Sequence, residues 1–474
     1  MKSGRHIARL TAVLGLVGAI VIIPTASQLV STVQAAPCTL CEGGEFHPLT
    51  PARIFDSRPA LAINDVAPLG AKPLGAPAPA TFDIKVLGLG GVPLDPASVL
   101  AVVVNITVTD AGAGGYLEAY GKGAQPAIRT SIINFGAGDT VPNASIARPG
   151  ADGALTIGLF GQSKTANVLV DVFGWFSTST YVPASGTQDP GARLIPTTPS
   201  RVLDTRDGTG QPAAGALAAK QTIDLQILGV DGVNPTVTDV VPNLPSVTGV
   251  LLNVVGITGS NTTHLSVFPD ALPPGQDPTT SNLNLAPNAI KANLVFVPVG
   301  TDGKVRIFNN QGSTDVVADV VGYMQTGALE TSRAGRVVPL SSPYRTFDTR
   351  DAQFGGVALG PGQAEDWSFA AFASSVMIDT IPVGNQLAVI GNLTSAALTR
   401  QYASAFVRSF LTAYPSKATR PLSSNLNSVE GPTPIPNMAI LKYGPDATVS
   451  MYNLAGYEQY LFDASAVVLA DPPA

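Results

Sequence analysis

Three copies of one charged motif contain the residues whose types and spacing could do chemistry. Each copy has the pattern Pro-x-Arg-x-x-Asp-x-Arg, and a further aspartate follows 118 positions after its first arginine. The guanidinium fork of arginine matches carboxylates, so these groups can pair with one another or bind an anionic ligand. The charged residues of the three sets are Arg53, Asp56, Arg58 and Asp171; Arg201, Asp204, Arg206 and Asp319; and Arg345, Asp348, Arg350 and Asp463.

The fixed interval favours pairing within each repeat. In an extended strand Asp204 and Arg206 share one face, and Arg201 lies on the other unless a bulge intervenes. If the last strand of a unit pairs with its first, Asp319 approaches one of these arginines. Buried charges persist only when paired. We therefore expect each set to form a structural clasp between the ends of its unit, with a ligand site as the alternative.

Asparagines also recur in all three units, within apolar runs where an unpaired polar group would cost about 1 to 3 kcal/mol. We expect their amides to satisfy the backbone of turns or edge strands. Glycosylation of the N-x-Ser/Thr sites is disfavoured by their strand-like surroundings. The recurring residues are Asn105, Asn253 and Asn392; Asn134, Asn284 and Asn427; and Asn143, Asn293 and Asn437, and the glycosylation patterns start at Asn105, Asn143, Asn261 and Asn392.

Motifs for catalysis are absent from the sequence. His47 and His264, the histidines beyond the N-terminal segment, occupy non-equivalent positions in the repeats. Neither accompanies a serine elbow, a zinc-binding HExxH or a Walker loop. We predict a protein that is not an enzyme and that needs no cofactor or metal. The alternative is a glycan-directed hydrolase with two carboxylates, because the separation of such a pair depends on the fold.

The N-terminus has the features of a secretory signal peptide covering residues 1–35. Basic residues precede the apolar stretch Leu10–Ile23, and Val33-Gln34-Ala35 provides a small-residue cleavage site. The apolar stretch is shorter than the ~20 residues of a membrane-spanning helix. We expect cleavage and secretion to the exterior or cell surface, with no membrane span afterwards; an uncleaved anchor is the alternative.

A short leader, residues 36–46, contains Cys38 and Cys41 in a C-x-x-C spacing. A redox site would need a thioredoxin-like context, and a zinc site would need two further ligands nearby. Neither is visible, so we expect a local disulfide formed in an oxidising exterior.

Composition indicates short strands joined by many turns. The 474 residues include 48 glycines and 40 prolines, and 13% are charged. The net charge of −6 argues against a nucleic-acid partner, because phosphate contacts need clustered cations.

The apolar runs are brief and bounded by Gly, Pro, Asn or Asp, and the first unit has eight of them. This pattern predicts an all-β protein of three tandem antiparallel β-sandwich modules, jelly-roll or immunoglobulin-like. A short helix could occupy 394–410 in the third unit. The predicted modules are 47–176, 194–324 and 337–474, with linkers at 177–193 and 325–336.

Several phrases resemble repeat modules of secreted actinobacterial and related proteins. The second unit matches best, through Leu252-Asn253-Val254, Thr280-Ser281-Asn282-Leu283-Asn284, Val297-Pro298-Val299-Gly300-Thr301-Asp302-Gly303 and Asp319-Val320-Val321-Gly322-Tyr323. The first unit has Ser131-Ile132-Ile133-Asn134, and the third lacks the closing glycine. The resemblance covers nearly the whole mature chain and implies non-catalytic surface or accessory domains.

These observations favour a secreted or cell-surface protein acting in adhesion, glycan binding or envelope structure. Its expected partners are cell-wall or extracellular glycans or surface proteins. Aromatic side chains are the candidate ligand contacts, with core packing as the alternative for each. They are Tyr116, Tyr120, Trp175, Tyr323 and Trp367.

Overall fold

The described part of the chain is all-β, as predicted. The computed structural model describes residues 43–58, 80–162, 165–179, 181–183, 191–233, 235–327, 332–352, 356–369, 385–399 and 406–471. The predicted signal peptide and the Cys38–Cys41 disulfide lie outside these residues, as do most of the leader and parts of both linkers.

Module 1 consists of two four-stranded antiparallel sheets that share one hydrophobic core. The sheet with the order β1-β8-β3-β6 is its inner sheet, and the sheet β2-β7-β4-β5 is its outer sheet. The strands are β1 (Phe46–Asp56), β2 (Ala80–Lys85), β3 (Val99–Thr109), β4 (Gly115–Gly121), β5 (Ile133–Phe135), β6 (Val141–Ala147), β7 (Ala154–Gly161) and β8 (Asn167–Ser177).

Module 2 repeats this arrangement and adds a hairpin. Its inner sheet has the order β16-β13-β18-β9, its outer sheet is β10-β17-β14-β15, and β11 pairs with β12. The strands are β9 (Arg193–Asp204), β10 (Gln221–Gln226), β11 (Val230–Gly232), β12 (Val237–Val241), β13 (Val247–Thr258), β14 (Thr263–Phe268), β15 (Leu283–Leu285), β16 (Ile290–Pro298), β17 (Lys304–Asn309) and β18 (Thr314–Gln325).

Module 3 has the inner sheet β19-β26-β21-β24 and the outer sheet β20-β25-β22-β23. The helix expected within 394–410 is wrong for its described part, because residues to Thr399 continue strand β21. The strands are β19 (Val337–Asp348), β20 (Ala364–Ser368), β21 (Gln386–Thr399), β22 (Arg408–Pro415), β23 (Leu426–Val429), β24 (Ile435–Lys442), β25 (Thr448–Asn453) and β26 (Tyr457–Leu469), and a 3-10 helix spans Pro445–Ala447.

A fourth hydrophobic cluster, the central core, joins the three modules into a ring. Module 1 contributes Val103 and Phe176, module 2 Leu251, and module 3 Ile390 and other buried residues. Inner strands such as β3 and β8 are consequently buried along almost their whole length. Continuous apolar runs suit strands that are covered on both faces.

The first strands of the modules also meet directly. The backbone N of Gly44 donates to the carbonyl of Val337 at 2.8 Å, and that of Phe46 donates to Ala192 at 2.7 Å. The carboxylate of Glu45 accepts from Nε of Arg193 at 3.0 Å. These contacts tie the entry of each module to another module.

Within the described residues, no helix has the length and apolarity needed to cross a membrane.

Candidate functional site

The charged motifs form three similar clusters, one in each module, although the second hydrogen bond from the first arginine to the closing aspartate, present in modules 1 and 3, is missing in module 2. In module 1, Nε and Nη2 of Arg53 donate to the two carboxylate oxygens of Asp171 at 2.7 and 3.0 Å, and Nη1 donates to Asp56 at 3.3 Å. The corresponding Nε–carboxylate distances are 2.9 Å for Arg201–Asp319 and 2.8 Å for Arg345–Asp463. The first arginine thus bridges the first and last strands of its module.

A bulge in the first strand makes this geometry available. Arg53 is paired in register with Asp171, and the next pair is Phe55 with Val170, so Ile54 is extra. The extra residue restores Arg53 and Asp56 to the same side of the strand. Modules 2 and 3 have the same shift after Arg201 and Arg345.

The second arginine of each motif fixes the motif aspartate. Nε of Arg206 donates to Oδ1 of Asp204 at 2.8 Å, and Nη2 donates to Oδ2 at 2.7 Å. Burial alone would raise the pKa of Asp204, but the side-chain and backbone hydrogen bonds from Arg206 and the nearby positive charges hold it below the ordinary value. The pKa values of Asp56 and Asp348 are lowered in the same way by Arg58 and Arg350.

The recurring asparagines connect the modules to one another. Nδ2 of Asn143 donates to Oδ1 of Asn392 in module 3 at 2.8 Å, and Oδ1 of Asn143 accepts from the backbone N of Met438 at 3.0 Å. The two equivalent sets are Asn293 with Asn105 and Ala144, and Asn437 with Asn253 and Leu294. Every junction therefore has the same polar contact, which gives the ring an approximate threefold symmetry.

All nine recurring asparagines were expected to satisfy local turns or edge strands. Asn134, Asn284 and Asn427 bond within their own module, each to a serine hydroxyl three residues earlier, whereas most partners of the other six belong to a neighbouring module. Asn105 donates from Nδ2 to the carbonyl of Ser281, and Asn253 and Asn392 make the equivalent bonds to Ser424 and Ser131. Asn105, Asn143 and Asn392 are buried, which removes them as glycosylation sites, whereas Asn261 is exposed.

The junction between modules 2 and 3 contains a groove of about 390 Å³, the 2–3 groove. The clasp residues Arg201, Asp204 and Arg206 of module 2 line one side. Strand β22 of module 3 lines the other, with Arg408 and Phe410. Strands β9 and β22 therefore each supply part of the lining, and loop residues such as Leu422 complete it.

The 2–3 groove combines an apolar strip with polar groups at its edges. Phe410 is partly buried, and Leu422 and Leu454 are 49% and 44% exposed. Arg408 is exposed, and its guanidinium has no ion-pair partner among the residues that the structure describes. Asn427 also lines the groove, and its Nδ2 donates to Ser424 Oγ at 3.3 Å. Such a surface can pack against an apolar face and hydrogen-bond to hydroxyl or acidic groups.

Comparison with known proteins leaves the family open. No family model matches the chain, and the curated proteins contain no significant match. One similar solved structure is the triple jelly-roll fold of an archaeal virus turret assembly. Its sequence is 9% identical to this chain, the alignment covers 89% of this chain and 90% of that chain, and the TM-score is 0.17. The Sulfolobus turreted icosahedral virus structure is 9% identical, covers 89% and 92%, and has a TM-score of 0.16.

A tandem CBM22-1–CBM22-2 domain of Xyn10C from Paenibacillus barcinonensis is 11% identical, with 54% of this chain and 85% of that chain covered and a TM-score of 0.14. At these TM-scores the three likenesses carry no argument about this chain.

The five aromatic residues predicted to contact a ligand do not lie together in one site. For Trp175 and Tyr120 the prediction is wrong, because both side chains are buried. Trp175 is 3% exposed and stacks on His47 with ring centroids 4.2 Å apart, and Tyr120 is 5% exposed, so neither offers a free face to a ligand. Trp367 is partly buried, stacks on Phe347 and donates from Nε1 to the Tyr460 hydroxyl at 2.7 Å. Tyr323 is partly buried against the module 2 core.

Tyr116 occupies the module 1 position that corresponds to Phe410, which lines the 2–3 groove in module 3. It pairs in register with Asn134, exactly as Phe410 pairs with Asn427 in the 2–3 groove. It is partly buried and stacks on Phe160 at 5.3 Å. Sequence reasoning selected Tyr116 and missed Phe410, because the strand register that relates the two positions is visible only in the structure.

Within the described residues, no group of three or more His, Cys, Asp or Glu side chains could hold a metal ion.

Proposed function

We propose that the protein is a secreted, non-catalytic glycan-binding protein whose binding site is the 2–3 groove. The observation that carries this proposal is the apolar strip of Phe410, Leu422 and Leu454 beside the guanidinium of Arg408, which pairs with no carboxylate of the described residues. Sugar rings present apolar C–H faces and many hydroxyl groups, so they suit a shallow apolar surface with polar edges. An acidic sugar would add an ion pair to Arg408.

We further propose that each module is a jelly-roll β-sandwich. In module 1 the strand pairs β1–β8, β2–β7, β3–β6 and β4–β5 are nested, as expected of a long hairpin wrapped into two sheets. The immunoglobulin-like alternative would divide the strands differently, into ABED and CFG sheets. The clasps then act as structural ties across the edge of each inner sheet.

The state of Asp204 supports binding over the hydrolase alternative. A glycosidase acid needs a carboxyl group whose pKa is raised so that it can donate a proton. Asp204 lines the 2–3 groove, but Arg206 holds its pKa below the ordinary value. That carboxylate is suited to positioning an arginine and is a poor proton donor.

A glycan array and a polysaccharide pull-down with the mature chain test the proposal. We expect a retained ligand whose affinity falls about tenfold or more in Phe410→Ala and in Leu422→Ser, because each removes apolar contact area from the groove. Arg408→Ala should weaken acidic ligands more than neutral ones.

Leu94→Ser is the matched control, since Leu94 is 73% exposed and belongs to module 1 away from the groove. Thermal unfolding of each variant separates lost binding from lost folding. If no glycan is retained, or if the groove variants bind as well as Leu94→Ser, the 2–3 groove is not a glycan site.

A further inference from the structure

A second cavity, the 1–2 cavity, lies at the junction of modules 1 and 2. Its volume is about 350 Å³. Module 1 contributes the turn of Gly138, Asp139 and Thr140, and module 2 contributes the rest of the lining. Most of the lining groups are polar, in contrast to the apolar strip of the 2–3 groove.

Lys291 is the cationic residue of the cavity lining, which also includes the acidic Asp139. It is the second residue of strand β16 and is partly buried, and its ammonium has no hydrogen-bond or ion-pair partner among the described residues. Burial lowers the pKa of Lys291, and the charge of Asp139 partly offsets this. A desolvated ammonium in a cavity gains most from an anionic partner.

Comparison of the modules indicates that the fold does not require this lysine. Lys291 lies two residues before Asn293, and the same position holds Val141 in module 1 and Ile435 in module 3. Both apolar residues are accommodated at their own junctions, so a structural role would be met by a valine or isoleucine.

Two further residues of the cavity lining are also polar in module 2 where modules 1 and 3 have apolar or aromatic residues. His264 pairs in register with Asn284, the position that Tyr116 and Phe410 occupy in modules 1 and 3. Asn310 lies opposite His264, where module 1 has Phe160 and module 3 has Leu454. Three positions that are apolar or aromatic in the other modules thus carry nitrogen groups in module 2.

We propose that the 1–2 cavity binds a carboxylate-bearing sugar, with Lys291 pairing with the carboxylate. His264, Asn284 and Asn310 line the same cavity. Lys220 donates to Oδ1 of Asn310, and Nδ2 of Asn284 donates to Ser281. Nδ2 of Asn310 and Oδ1 of Asn284 are therefore the amide groups that can hydrogen-bond to ring hydroxyls. The volume is sufficient for one monosaccharide unit. The site is separate from the 2–3 groove and does not depend on its function.

The proposal is tested by calorimetric titration of the mature chain with glucuronate, with glucose as the neutral counterpart and with inorganic phosphate. We expect glucuronate to bind and glucose to bind at least tenfold more weakly. Lys291→Val, which installs the module 1 residue, should weaken glucuronate at least tenfold and leave glucose unchanged. His264→Phe, which installs the module 3 residue, should weaken both sugars.

Two further comparisons show which of the two sites binds the carboxylate and whether the ligand is a free sugar acid or the end of a glycan chain. Because Arg408 in the 2–3 groove can also pair with an acidic sugar, the Lys291→Val comparison is repeated in the Arg408→Ala background, where the loss of glucuronate affinity should persist. If Lys291→Val has no effect in that background, the carboxylate belongs to the 2–3 groove and the proposal is overturned. A glucuronate-terminated oligosaccharide that binds as tightly as the free sugar identifies a chain end as the ligand, and weaker binding identifies the free acid; both support the site.

Absence of glucuronate binding at millimolar concentration would contradict the proposal, as would tighter binding of phosphate than of glucuronate. Unchanged glucuronate affinity in Lys291→Val with a native melting temperature would also contradict it.

Discussion

The first arginine of each clasp is the residue on which two buried carboxylates depend. Arg201 contacts both Asp204 and Asp319, whereas Arg206 contacts Asp204 and its side chain is 51% exposed. Arg201→Met should cost about 3 to 5 kcal/mol because it leaves buried charge without a partner. Arg206→Met should cost less, about 1 to 2 kcal/mol, because Asp204 keeps its pairing with Arg201. Urea unfolding measures both values, and equal small losses would contradict the clasp.

Glu458 gives the folded chain a pH dependence near neutrality. Burial raises its pKa from 4.5 to about 7, although the hydroxyls of Ser395 and Ser428 donate to it. Between these values the unfolded state loses its proton while the folded state keeps it, so stability falls as the pH rises from 4.5 to 7. Glu458→Gln should therefore add roughly 3 kcal/mol at pH 8 and little at pH 4. Unfolding free energies that shift equally at both pH values would disprove this.

At the scale of single residues, the sequence identified the clasp residues and the recurring asparagines because their spacing repeats. It could not identify the asparagines' partners, since Asn143 and Asn392 are 249 positions apart and belong to different modules. The 2–3 groove was missed for the same reason. Its two sides come from modules whose relative placement no local pattern encodes.

At the scale of secondary-structure elements, the hydrophobic pattern differs between outer and inner strands. Strand β2 alternates, with Ile84 buried between exposed Asp83 and Lys85, as its sequence predicts. Strand β3 is mostly apolar, and the structure buries both of its faces. Continuous apolar strands indicate a covering layer on each side. That signal was present and pointed to packing between modules.

A substitution at Val103 tests whether the second face of β3 packs against the other modules, because Val103 is 1% exposed and belongs to the central core. Val103→Asp should prevent folding or cost more than about 3 kcal/mol, because it buries a charge without a partner. Val182→Asp is the control, since Val182 is 81% exposed. Soluble yield and denaturant unfolding measure the difference. A stable Val103→Asp variant would mean that the inner sheets do not pack together in solution.

For the whole molecule, the shared central core and the asparagine contacts predict that the three modules unfold together. Scanning calorimetry should show one transition, because no module can lose its inner sheet without exposing the others. Asn293→Ala removes hydrogen bonds to Asn105 and Ala144 in module 1. It should therefore lower the temperature of that single transition and reduce the free energy of unfolding by at least about 2 kcal/mol. The exposed Asn261→Ala should leave it unchanged. Separate transitions, with only one shifted by Asn293→Ala, would instead indicate modules that fold independently and touch weakly.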